Sequence, residues 1–152
     1  MTTPTVVPGQ YNADATDFLK VKRDTFGAVR TVTGTVTVPS GVAADENIGL
    51  VPFQAGATFT IDDKSVHCGD FGAGTTTVDL GIIYDDDTNN TNDANAWAEA
   101  DTAPQSGGFV TVTEIEGLTL KTTANGWLAL TVRTAATDAE ADVTFSVQVK
   151  YD

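Results

Sequence analysis

Residues 141–152 read ADVTFSVQVKYD, and their reading decides the fold. Ala141, Val143, Phe145, Val147, Val149 and Tyr151 alternate without a break with Asp142, Thr144, Ser146, Gln148, Lys150 and Asp152. A period of two puts every apolar side chain on one side of an extended strand and every polar one on the other. Such a strand needs a second layer against its apolar face. Further out, AVRTVTGTVTV at 28–38 repeats the device, with Val32, Gly34, Val36 and Val38 opposed to Thr31, Thr33, Thr35 and Thr37. Pro39 and Gly41 end it, because proline has no N–H for a ladder and glycine permits a turn.

The same pattern predicts strands at IGLVPF (48–53), ATFTID (57–62), TTTVDLGIIY (75–84), GFVTVTEI (108–115), GLTLKTT (117–123) and GWLALTVRT (126–134). Asn125–Gly126 carries a two-residue hairpin signal, since both residues accept positive φ. NDANAWAEA (92–100) reads instead as one or two helical turns anchored by Trp97. About eight short strands, rich in Val, Thr and aromatics, predict an all-β fold: an antiparallel β-sandwich of jelly-roll-like type. The sandwich is expected over 28–152. Residues 1–27 contain Pro4, Pro8 and Gly9 and keep no period, so an extended N-terminal arm is expected there, either ordered against a partner or a frayed terminus.

Composition sets the remaining bounds. A chain of 152 residues that is 41% hydrophobic suits one domain with one core. Cys68 is the only cysteine, so no disulfide can form within the chain, which fits synthesis in a reducing compartment. MTTPTVVPGQ has no basic start and no apolar stretch of signal length, so no cleaved secretory signal is expected. No apolar run approaches the roughly 20 residues that cross a membrane as a helix. A net charge of −13 argues against nucleic acid, whose phosphates need a basic surface. The charge is also split. Residues 1–30 hold Lys20, Lys22, Arg23 and Arg30 against three aspartates, while residues 31–152 hold four bases against eighteen acids.

Candidate chemistry is sparse. The tract DDDTNNTND (85–93) is full of hard oxygen donors, but an EF-hand counted from Asp85 would meet Asn90 at its glycine position and Ala96 at its glutamate position. Asp85, Asp87 and Asn89 stay as candidates for an irregular calcium site, beside the reading of a hydrated surface loop. His67 and Cys68 are consecutive, so on a strand they face opposite ways and cannot form a nucleophile–base pair. A half-buried His and a buried Cys are expected instead. CGDFGAG (68–74) lacks the spacing and the following helix of a phosphate loop and reads as a turn. Glu114 and Glu116 lie two apart, hence on one face of an expected strand. Trp97 and Trp127 admit two roles, a core or subunit-interface residue or a platform for sugar stacking. No residue grouping points to catalysis.

VTGTVTVPSGVAADENIGLVPFQAGATFT joins a Val/Thr strand and a turn to an apolar strand and the start of another. It is followed by VDLGIIYDDD, a small-residue stretch with Trp97, then GGF and GLTL, and a closing V-x-F-x-V-x-V-x-Y strand. Over about residues 28–151 this order resembles the capsid decoration (cement) proteins of tailed bacteriophages. The resemblance implies a non-catalytic β-sandwich, often trimeric, without cofactors. Such a protein is made in the host cytoplasm and sits on the outer capsid surface of the virion, where it bridges subunits of the major capsid protein. The arm cations Lys20, Lys22, Arg23 and Arg30 are then expected against the capsid, with the acidic head toward solvent. The alternative class is a fibre or spike head, or a carbohydrate-binding sandwich.

Overall fold

The computed structural model describes residues 4–8 and 29–151. Nine strands follow one another in these residues: β1 (Val29–Val38), β2 (Asn47–Phe53), β3 (Ala57–Thr60), β4 (Val66–Cys68), β5 (Thr77–Tyr84), β6 (Asp93–Asp101), β7 (Gly108–Phe109), β8 (Gly126–Arg133) and β9 (Ala141–Tyr151). They form two antiparallel sheets. One has the order β1-β9-β4-β7, with β3 also paired to β9, and the other has the order β2-β8-β5-β6. The first strand pairs with the last and the second with the last but one, the nested order of a ribbon rolled upon itself. The fold is the all-β antiparallel sandwich that the alternation predicts.

β9 carries the expected division. Val143, Phe145, Val147, Val149 and Tyr151 are buried, while Asp142, Thr144, Ser146 and Gln148 are exposed. β1 matches it over ten paired positions, from Val29 opposite Lys150 to Val38 opposite Ala141. The core between the sheets joins Val36 and Val38 of β1 to Leu50 and Phe53 of β2, Leu80 and Ile82 of β5, and Leu128 and Leu130 of β8. Aromatic edges lock it. Phe53 meets Phe59 at 5.7 Å and Tyr84 at 6.1 Å, both edge-to-face.

Three segments depart from expectation. Residues 93–101 form strand β6 and not helical turns. Their pairing with β5 slips twice, between Val78 opposite Asp101 and Leu80 opposite Ala98 and again before Ile82 opposite Asp93, so β6 arches over Gly81. Pairing to β5 outweighs the weak helical preference of a run holding only one large anchor. GFVTVTEI is a strand only at Gly108–Phe109. GLTLKTT contributes no strand; Glu116–Leu118 is a 3-10 turn instead. The chain there closes the side of the sandwich, with the N–H of Thr122 bonded to the Ala57 carbonyl. Loop-to-strand bonds like this one compete with a ladder for the same backbone groups.

The two sheets differ in how they treat their outer faces. In β5 every residue is buried, on both faces, and in β8 only Arg133 is not fully buried. Residues 4–8 lie along β2 through a parallel bridge between Val6 and Ile48. They cover the outer strip Ile83–Trp127–Ala129. Asp79, buried on this same side, accepts from the Ala100 N–H at 2.8 Å and from Arg133 Nε at 2.7 Å. Arg133 also reaches Asp45.

Candidate docking surface

On the outer face of the five-stranded sheet the polar residues along β1 and β9 are exposed. Thr31, Thr33, Thr35 and Thr37 of β1 stand beside Gln148, Ser146, Thr144 and Asp142 of β9. His67 of β4 continues the row next to Thr144. These positions are polar for the reason that made the strands legible: they are the odd half of a period-two pattern whose other half fills the core. β-branched threonines suit this pleated surface because their χ1 freedom is already restricted there. Thr37 donates a hydrogen bond to Asp142 at 2.8 Å. At the far edge Phe109, 50% exposed, meets the His67 ring edge-on at 4.9 Å.

A shallow depression of about 610 Å³ lies in this face, lined among others by Thr33, Thr35, Lys64, His67, Phe109 and Ser146. Among the described residues, its only charged or titratable lining groups are Lys64 and His67. The neighbouring carboxylates turn to backbone: Asp62 accepts from the Lys64 N–H, and Asp63 from the Val112 N–H, each at 2.8 Å. A hydroxyl-rich, nearly uncharged face is therefore set into a chain of net charge −13.

A second exposed feature sits at the side of the sandwich. Ile115 is 75% exposed and Leu118 66%, at the two ends of one tight turn. The turn is held firmly. The N–H groups of Thr113 and Glu114 both donate to the Trp97 carbonyl, at 2.9 and 3.1 Å. Gly117 rests on the Trp97 indole so closely that a Cβ would overlap the ring. Large aliphatic side chains held outward on a fixed backbone are features that contact surfaces use.

Both tryptophans are interior, Trp97 with 0% and Trp127 with 1% exposure. Trp97 is turned inward by the arch of β6 and stacks edge-on with Phe59 at 6.3 Å. Its Nε1 has no hydrogen-bond partner among the described residues. Trp127 lies on the other side of its sheet, under the N-terminal segment. Neither presents a ring face to a sugar, which corrects the stacking role; among the described residues the exposed aromatic is Phe109. Sequence flagged it only weakly: the alternation of Val110 and Val112 puts Phe109 on the polar side with Thr111 and Thr113, but over a short run.

The polar tract behaves as a self-bonded loop. Its organiser is Asp86, whose carboxylate accepts from the N–H groups of Thr88 and Asn89 at 3.2 and 3.4 Å and from Asn89 Nδ2 at 2.7 Å. These bonds, the Asn89 side chain first, hold the Asp86 carboxyl below its ordinary pKa. Asn89 thus spends its amide on Asp86, and the Asp85 N–H donates to the Asn125 carbonyl at 2.9 Å. Among the described residues, no three His, Cys, Asp or Glu side chains gather as a metal-ligand set.

Cys68 is fully buried, and burial, followed by the nearby Asp101, pushes its thiol up to about 12. His67 faces the other way, against Phe109. That pKa leaves only about one thiolate in ten thousand at pH 8, so Cys68 should resist alkylation in the folded protein and label fully in denaturant. Rapid labelling of the native chain, read by intact mass, would contradict this burial. Glu114 and Glu116 do not share a strand face, because Glu116 opens the 3-10 turn and Glu114 lies just before it, outside any strand. Of the arm cations, Arg30 lies half-buried in β1. Lys20, Lys22 and Arg23 fall outside the described residues.

Fold and surface together define a class: an antiparallel two-sheet sandwich with an exposed hydroxyl-rich strand face and a rigid apolar turn. No family model matches the sequence, and no curated protein matches it. Two solved structures share the fold. One is a chain of the cyanophage Pam1 capsid asymmetric unit, 20% identical, with a TM-score of 0.55, covering 84% of this chain and 87% of that one. The other belongs to the capsid of Ralstonia phage GP4, 22% identical, with a TM-score of 0.56, covering 82% of this chain and 86% of that one.

Proposed function

We propose that this chain is a structural protein of a phage virion, a decoration (cement) protein that docks on the outside of the capsid. The observation that carries this reading is the end-to-end likeness of fold: more than four-fifths of this chain matches more than four-fifths of a chain in each of two phage capsids. The reading needs a protein that acts through contact surfaces, and the exposed face supplies one. Copies of a chain with net charge −13 repel each other and other acidic surfaces. A flat face of threonine, serine and glutamine escapes that repulsion and can lie against the major capsid protein. Many weak contacts of this kind become firm through avidity once the lattice fixes their spacing. In this reading the chain is a homotrimer that bridges neighbouring capsid subunits. The arm cations Lys20, Lys22 and Arg23, with Arg30 at the start of β1, lie against the capsid, the acidic head faces solvent, and neither a cofactor nor catalysis is involved.

Co-sedimentation with empty capsids that lack the protein tests the proposal. Wild-type chain should bind saturably. Thr35→Glu/Ser146→Glu alters two exposed strand positions. It should weaken binding at least about tenfold with an unchanged melting temperature, since an unpaired charge at a buried contact costs more than about 1.4 kcal/mol. Lys20→Ala/Lys22→Ala/Arg23→Ala should weaken it as well. Full occupancy by both variants would refute docking through the face and the arm, and failure of wild type to bind any capsid would end the virion reading.

A further inference from the structure

Residues 4–8, PTVVP, occupy a groove on the four-stranded sheet. The N–H of Thr5 donates to the Asn47 carbonyl at 2.8 Å and the N–H of Gly49 to the Val6 carbonyl at 2.7 Å. Pro4 fits where Gly49 has no side chain; a Cβ there would lie 2.8 Å from the proline ring and 2.7 Å from Trp127. Val7 packs on Ile83, Trp127 and Ala129. The groove therefore combines a free strand edge, a glycine gap and an apolar strip, the parts needed to receive an extended apolar segment by strand addition. Pro4 and Pro8 bracket the segment and have no N–H to donate, so pairing cannot run on past either end. One bridge holds it, against ten paired positions between β1 and β9.

Chain length leaves open whose groove the segment fills. Residues 9–28 join Pro8, on the four-stranded sheet, to Val29, at the start of β1 in the other sheet. Twenty residues reach up to about 66 Å, several times the roughly 15 Å radius of gyration of a domain this size. Charge favours a second copy at this place above others. PTVVP and the strip beneath it carry no ionisable group, so two copies can meet here without the repulsion that a net charge of −13 imposes elsewhere.

We infer that PTVVP is an exchanged strand: in the assembled protein, residues 4–8 of one copy fill the β2 groove of another. Each copy then gives one strand and receives one, and the buried contact ties the oligomer together.

Two single variants, Thr5→Cys and Asn47→Cys, test this when mixed under denaturing conditions, refolded together and oxidised. Cys68 is buried and stays out of the reaction. Exchange predicts chains linked covalently through positions 5 and 47, identified by peptide mass. The double variant Thr5→Cys/Asn47→Cys checks the geometry; a bridge closed only within single chains, with no 5–47 link in the mixture, overturns the inference. Sedimentation velocity gives an independent measure. The full chain should sediment as an oligomer and the chain lacking residues 2–8 as a monomer. A monomeric full chain, or an oligomer unchanged by the deletion, would equally overturn it.

Discussion

Gly81 shows how much one residue can decide. It lies in the middle of β5, where β6 arches over, and a Cβ there would overlap the Asp93 carbonyl and the Ala94 backbone. Backbone cannot yield as a flexible side chain does, so Gly81→Ala should destabilise the protein by about 3 kcal/mol. Denaturant unfolding checks the figure; a loss below about 1 kcal/mol would mean that β6 shifts freely. The sequence shows a glycine inside an apolar strand, and such a glycine marks a bulge or a close approach. It does not show which chain approaches, because the neighbour comes from a stretch that reads locally as helix. Trp97 and Trp127 teach the same lesson. A tryptophan's size is plain in the sequence, but whether it faces a ligand or the core depends on what lies over it. Here these covers are the turn at Gly117 and the segment at 4–8.

Among the elements, the loop after β5 was legible as wet and exposed but not as organised. Three aspartates in a row look equivalent in sequence, yet Asp86 alone gathers the Thr88 and Asn89 N–H groups and the Asn89 amide. Asp and Asn side chains that bond backbone two residues on make such turns self-sufficient. Asp86→Ala should therefore loosen the loop, read as faster amide hydrogen exchange at Thr88 and Asn89 with the rest of the protein unchanged. Millimolar calcium should leave the melting temperature of the wild type where it was. A rise of several degrees on adding calcium would restore the cation reading of Asp85, Asp87 and Asn89. Among the strands, β1, β9 and the three apolar strands that became β2, β5 and β8 were readable because their pattern is unbroken. The chain from 110 to 123 was not. Its alternation (Val110, Val112, Leu118, Leu120) imitates a strand, while its backbone bonds go to strand ends and turns.

At the scale of the whole molecule, both sheets share one core, so they should unfold together. Phe145 on β9 stands opposite Gly34 and Val66 and faces the other sheet. Phe145→Ala should cost about 3–5 kcal/mol, with tryptophan fluorescence and far-UV circular dichroism changing in one coincident transition. Two separated transitions would show that the sheets are independent. The nested pairing of first strand with last also makes most contacts non-local, which places folding on the millisecond-to-second scale. The fold further sets one face apart from the other. The four-stranded sheet is covered by residues 4–8 and by the Asp79–Arg133 pair, while among the described residues the hydroxyl row of the five-stranded sheet is exposed.

The sequence by itself determined the class of fold, because a strict period of two admits one geometry, and it determined the polarity of each exposed strand face, since the same alternation assigns both sides at once. Only the tertiary structure decided which outer face residues 4–8 cover, where the tryptophans lie and how that segment completes a sheet. Those outcomes depend on which distant segments meet, at separations of tens of residues, and a local period carries no record of the partner.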